Sequence, residues 1–230
     1  MNTNTLVRTK QVDRTNPSGN RNHSIVSEVD TLLWRIKARL EEKEDTGQVV
    51  AITSCCRGSG VSTLIANIAV QAAKNQLGPI LIIDANTSGP RQHKFFRHKT
   101  KVGLVDVLVG DVAPHEAIFP TSVETLDIMP TGLPSLLESS RVFGGNCEKL
   151  FHWARKRYAL IFVDLPCISE MRHGLMIARQ AEMTLVAIRS NVVRRSDAVQ
   201  DIERLIADGV HVSGTILSRQ TISTPKFFRS

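Results

Sequence analysis

From Ser24 onward apolar residues recur at helical spacing, with Ile25, Val29, Leu32, Leu33, Ile36 and Leu40 on one stripe. Ser24, with Ser27-Glu28 behind it, is placed to cap that helix, and the charged turn EEKEDTG closes it. Then the period changes. Continuous apolar runs of strand length occupy Val49 to Thr53, Pro79 to Asp84, Leu126 to Met129, Tyr158 to Asp164, Met183 to Arg189 and Val212 to Leu217. Between them lie helical patterns at Ser62 to Lys74, Leu104 to Val109, Leu150 to Arg157, Gly174 to Ala181 and Ser196 to Asp208. Strands that are apolar on both faces and alternate with helices predict an α/β, doubly wound, mostly parallel sheet. Pro166 is expected to stop the strand that ends at Asp164. The flanks read differently. Residues 1–23 are polar and rich in Asn, Thr and Arg, and are expected to be a disordered basic tail. The organisation is therefore that tail, one domain over 24–218 with its N-terminal helix at 24–46, and a short tail at 219–230.

Composition adds limits rather than chemistry. No apolar run approaches the roughly 20 residues that span a bilayer, and the N-terminus has no apolar signal region. The expectation is a cytoplasmic protein, peripheral to the inner membrane at most. The four cysteines, Cys55, Cys56, Cys147 and Cys167, lack metal-ligand spacing and read as free thiols. Net charge is +7. Within the first 23 residues Arg8, Lys10, Arg14 and Arg21 face Asp13, which suits a solvated tail first and an anionic membrane surface second. Scattered basic residues and few aromatics argue against specific nucleic-acid binding.

Candidate chemistry gathers at three strand ends, where such sheets bind ligands. The stretch AITSCCRGSGVSTLIANIAV has the strand–loop–helix order of a phosphate-binding loop. Gly58 and Gly60 let backbone N–H groups turn toward an anion at a helix N-terminus, and Ser62-Thr63 stand where a magnesium-binding hydroxyl belongs. Val61 occupies the position that such a loop fills with Lys. Asp84 ends the run LIID, and Asp164 ends FVD. Two carboxylates and a hydroxyl (Ser62, Asp84 and Asp164) at neighbouring strand ends suit hydrated magnesium beside phosphates. The same residues also serve as ordinary caps and turn residues. Arg57, four residues before Val61, could supply a phosphate contact or simply face solvent on a turn.

From about Ser24 to Arg219 the chain resembles the cytosolic domain of bacterial tyrosine kinases of the capsular exopolysaccharide family. That family has a P-loop NTPase fold and is related to septum-site and partition ATPases. Its first loop reads S-x-x-P-G-x-G-K-[ST]-T, matched by Ser54 to Thr63 except at Arg57, which stands for Pro, and Val61, which stands for Lys. Its second motif, an apolar run ending D-x-D, is matched at Asp84, with Asn86 at the second Asp. Its third, D-x-P-P, is matched at Asp164 and Pro166. KVGLVDVLVGD is similar to the family's G-L-x-x-x-L-x-G stretch, and RSNVVRRSDAVQDIERL to its segment after the fourth strand.

The resemblance implies ATP or ADP with magnesium as ligand, held by Arg57, Gly58, Ser59, Gly60, Ser62 and Thr63. Ser218 would stand near the adenine, and Asp84 and Asp164 would be the catalytic carboxylates. The departures point one way. Loss of the loop Lys removes a fixed cation worth about 3 kcal/mol of transition-state stabilisation. The tail QTISTPKFFRS has no tyrosine to modify, and Tyr158 opens a buried strand. Of the family's ring-assembly pattern E-x-x-R-x-x-R, Glu28 remains while Thr31 and Trp34 replace the Arg residues. The expectation is a pseudokinase of exopolysaccharide synthesis that binds nucleotide weakly or not at all. Its implied partner is the cytosolic segment of a membrane polysaccharide co-polymerase, a regulator of chain length, with homo-oligomers left open. The alternatives are an active tyrosine kinase or ATPase of the same family and, third, a DNA-binding partition-type ATPase.

Overall fold

The computed structural model describes residues 6–7, 21–40, 46–99, 101–136 and 144–218. Among the described residues eight strands form one sheet: β1 (Leu6–Val7), β2 (Gln48–Ser54), β3 (Ile80–Asp84), β4 (Phe119–Pro120), β5 (Leu126–Met129), β6 (Leu160–Cys167), β7 (Met183–Arg189) and β8 (Val212–Ser218). Their spatial order is β1-β8-β7-β2-β6-β3-β5-β4, and all neighbours are parallel except β4 with β5. The helices are α1 (Arg21–Leu40), α2 (Val61–Lys74), α3 (Gln92–Phe95), α4 (Leu104–Val109), α5 (Gly144–Arg155), α6 (Gly174–Ala178) and α7 (Arg195–Ala207). Fold class thus follows the expectation from alternating apolar runs.

The pleat explains why the strands read as unbroken apolar runs. Along β2, Val49 and Ala51 enter one core while Val50 and Ile52 enter the other. The first core is closed by residues of α4, α5, α6 and α7, among them Leu104, Phe151, Ala178 and Leu205. The second lies under α2 and α1, with Ile65, Ile68, Leu33 and Ile36. Helix α1 buries Val29, Leu32, Leu33, Ile36 and Leu40 of the stripe expected from sequence, the side chain of Ile25 lying outside those described, and packs on α2. Its opposite face leaves Trp34 exposed, with the Lys37 ammonium 5.4 Å from the ring centroid.

Three observations refine the sequence reading, and one expectation falls beyond the described residues. The first helix begins at Arg21, ahead of the expected Ser24 cap. Leu6–Val7 lies beside β8, although it falls in the stretch expected to be a disordered tail. The tail at 219–230 lies outside the described residues. Finally, Pro166 does not end its strand. β6 continues to Cys167, and its register with β2 slips between Ile52↔Asp164 and Ser54↔Cys167. Proline is tolerated at such a bulge because the missing N–H has no ladder bond to make. The Pro166 carbonyl instead accepts the Thr53 hydroxyl at 2.6 Å.

Strand β2 sits where the chain reverses direction across the sheet. It leads by way of α2 to β3 on one side, while β7 and β8 are added on the other. Ligands to such sheets bind at this crevice, outside the carboxyl ends of the strands.

Candidate functional site

The loop from Cys55 to Gly60 leaves β2 at that crevice and feeds α2. Gly58 has φ +75° and Gly60 φ +81°, a left-handed backbone that suits glycine. Polar contacts hold the loop from inside and from a neighbouring strand. The Ser54 and Ser59 hydroxyls donate to the Cys56 carbonyl at 2.9 and 2.8 Å. Ser218, at the end of β8, donates its hydroxyl to the Ser59 carbonyl at 3.0 Å. No side chain caps the first turn of α2, so its leading N–H groups and the positive end of the helix dipole remain available to an anion.

Val61, the first residue of α2, is 7% exposed and lies in the same apolar cluster as Ile52 and Ile65. The position that would carry a cation is packed as core. Ser62 is buried beside it, while Thr63 is half-buried, its carbonyl accepting the Asn67 side chain at 2.7 Å. Arg57 points elsewhere: its side chain is 72% exposed and paired with Glu170, which follows β6.

Asp84 and Asp164 are register partners on β3 and β6, both fully buried. Asp84 Oδ1 accepts the Asn86 N–H at 3.2 Å, and Oδ2 accepts those of Arg91 and Gln92 at 3.0 and 2.9 Å. Both of its oxygens are thus engaged by the turn that leads into α3. Asn86 is a turn residue too, its side-chain oxygen accepting the Gly89 N–H at 3.1 Å. Asp164 differs. Its Oδ2 accepts the Gln92 amide at 2.8 Å, whereas Oδ1 is buried without a hydrogen-bond partner. Gln92 also donates to the Ser62 carbonyl at 3.0 Å, tying α3, the loop helix and β6 together. Burial raises both carboxyls above the ordinary range. For Asp84 the three backbone donors offset much of this, and for Asp164 the charge of Asp84 adds to it. The pair therefore resists carrying two negative charges unless a cation joins it.

Sequence reading missed Gln92, Thr131 and Arg189. Thr131 donates to the Asp84 carbonyl at 2.9 Å, fixing the end of β3. Arg189 ends β7, and its Nη1 lies 3.7 Å from where a Cβ on Gly58 would stand. Arg189 opens the segment RSNVVRR, so its motif was visible, but its approach to the loop was not.

With this geometry in view, comparison with known proteins is informative. Tyrosine-protein kinase wzc of Salmonella typhimurium is 27% identical over 174 residues, covering 74% of this chain and 24% of that protein. Tyrosine-protein kinase YwqD of Bacillus subtilis is 28% identical over 178 residues, covering 76% of this chain and 73% of that protein. Its homologues are bacterial tyrosine-protein kinases. The chain spans about a quarter of the length of the Salmonella kinase. No protein-family model matches it. The kinase domain of Escherichia coli tyrosine kinase ETK superposes with a TM-score of 0.75 at 22% identity, over 94% of this chain and 85% of that one. The septum site-determining protein MinD of Pyrococcus horikoshii, complexed with Mg-ADP, gives 0.63 at 21% identity, over 74% and 70%. The P-loop NTPase fold is shared with these kinase and MinD domains.

Proposed function

We propose that this chain is a kinase-like P-loop protein of capsule or exopolysaccharide synthesis, keeping a weak nucleotide site but with turnover impaired or lost. In this reading it works as a cytosolic partner of a membrane-embedded chain-length regulator. Val61 is the observation that carries the reading, because the expected cation position is apolar and buried. The sequence resemblance supports the setting, as does a Klebsiella pneumoniae relative, 25% identical over 158 residues, named "Putative tyrosine-protein kinase in cps region". Among the described residues no helix is long and apolar enough to cross a membrane, so membrane contact would come through the partner.

The residues fit the phosphate chain of ATP or ADP. Two positive-φ glycines and the uncapped start of α2 form its cradle. They also fit magnesium through fewer protein ligands than the sequence implied. The orphaned Asp164 Oδ1 and the Ser62 hydroxyl would hold it, with Asp84 in a supporting role. Bound there, the metal would neutralise phosphate charge and draw the proton from Asp164. Asp164 would then orient the ion, Gln92 would hold the second Asp164 oxygen, and the loop amides would align the phosphates.

The test is incubation of the purified chain with Mg-ATP, following phosphate release and phosphotyrosine on an added tyrosine-containing polypeptide, beside Val61→Lys. Negligible turnover in the native chain and measurable turnover in Val61→Lys support the reading. Turnover in the native chain that Asp164→Ala abolishes would replace it with an active kinase or ATPase.

A further inference from the structure

A phosphate-binding loop without its Lys either lacks a cation or draws one from elsewhere. Arg57 is poorly placed, being exposed and paired with Glu170. Arg189 is the stronger candidate on three grounds.

The first ground is topology. β7 pairs with β2 in register Ser54↔Ala187, so Arg189 extends beyond the last paired residue of β2, level with the start of the loop. Side chains two residues apart on a strand share a face, and Ala187 lies in the cluster beneath α2. Arg189 therefore leaves the sheet on the α2 face, the face on which Val61 begins its helix. The second ground is proximity. The Arg189 guanidinium is the nearest group to the side-chain position of Gly58, at 3.7 Å. A Cβ there would stand in van der Waals contact with it. The third ground is an unused donor. Arg189 Nε is buried without a hydrogen-bond partner, and the residue has no salt-bridge partner among the described residues. Burying a guanidinium N–H with nothing to accept it costs free energy that a bound anion would recover.

Its mounting is firm. Arg189 is the register partner of Ser218, and the next residue, Ser190, donates its N–H to the Ser218 carbonyl at 3.0 Å. The Ser218 hydroxyl in turn holds the Ser59 carbonyl. Guanidinium and loop are thus fixed to the same two strand ends.

Resting on the nucleotide reading above, we propose that Arg189 is the phosphate-binding cation of this loop, contributed by the strand next to β2 in place of the missing loop Lys. Its ligand class is a di- or triphosphate, whether a nucleotide's or inorganic. A planar guanidinium can engage two phosphate oxygens at once, which an ammonium cannot.

The experiment is calorimetric titration of the purified chain with Mg-ADP and, separately, with magnesium pyrophosphate. The proteins are the native chain, Arg189→Ala, Arg189→Lys, Arg57→Ala and the loop variant Gly60→Val, each first checked by thermal melting. Arg189→Ala is expected to weaken both probes by about tenfold or more, the range of a hydrogen bond to a charged group, with Arg189→Lys recovering part of it. Gly60→Val is expected to abolish binding. If Gly60→Val abolishes binding but Arg189→Ala stays within twofold, the loop reading stands and the role of Arg189 is overturned. A loss at Arg57 instead of Arg189, or a loss for ADP without one for pyrophosphate, also overturns it. Absence of binding in the native chain, or binding that survives Gly60→Val, overturns the loop reading and this proposal with it.

Discussion

Replacing Asp164 with Asn removes a buried ionisable group while keeping its shape. The Asn side-chain oxygen can still accept the Gln92 amide, at 2.8 Å in the native chain, and its NH2 takes the place of the oxygen that has no partner. Burial first, and the neighbouring Asp84 charge second, raise the Asp164 pKa. The sign of the pH dependence follows. A carboxyl raised above its unfolded value contributes fully below the ordinary carboxylate pKa of about 4. That contribution is lost as pH rises through the raised native value. Burial and the Asp84 charge raise the native value to about 8, and at 1.36 kcal/mol per pKa unit even a fraction of that rise amounts to about 1–3 kcal/mol. Urea unfolding at pH 5 and pH 8 is the assay. Asp164→Asn should be more stable than the native chain by about 1–3 kcal/mol at pH 8, and by clearly less at pH 5. Equal or lower stability of Asp164→Asn at pH 8 would mean instead that the native carboxylate is already compensated. A side chain held at the expense of stability is the pattern expected of a functional group rather than a turn residue.

Other outcomes follow from the same contacts. Leu33→Ala, at a fully buried position of α1, should cost about 2–5 kcal/mol in urea unfolding. A smaller loss would mean that α1 is only loosely docked on α2. Ser218→Ala removes the hydroxyl that braces the Ser59 carbonyl, and should cost about 0.5–1.5 kcal/mol of stability. Its effect on nucleotide should fall on affinity alone, read by ADP titration. Val61→Lys exchanges buried apolar surface for a charge and should lower stability by about 1–2 kcal/mol while tightening Mg-ADP. Lower stability without tighter binding would show that the new ammonium does not reach the phosphates.

Much of the fold was legible because the parallel strands are apolar on both faces. Leu126–Met129 and Met183–Arg189 emerge with the expected bounds, as does the helix Leu104–Val109. What escaped was short or dictated by neighbours. Gln92–Phe95 is a four-residue helix in a polar stretch, and Phe119–Pro120 is a two-residue antiparallel edge strand. Pro166 misled because a bulge, not the end of a strand, absorbs its missing N–H.

The candidate site divides in the same way. Strand-end carboxylates and loop glycines belong to local patterns, so Asp84, Asp164, Gly58 and Gly60 could be read directly. Partners from distant sequence could not. Arg57 meets Glu170, Gln92 meets Asp164, and Arg189 nears Gly58 only once the sheet has assembled. Ser218 was singled out for its motif position, whereas its hydroxyl contact with the loop carbonyl of Ser59 could not be read from sequence.

The central claim is that a nucleotide cradle survives here while turnover is impaired. The most direct measurement is a single-turnover experiment, with γ-labelled ATP and magnesium added to excess protein and the label then recovered. The label should return as intact ATP, with no phosphotyrosine formed. Recovery as free phosphate or protein-bound phosphotyrosine, lost in Asp164→Ala, would contradict the claim.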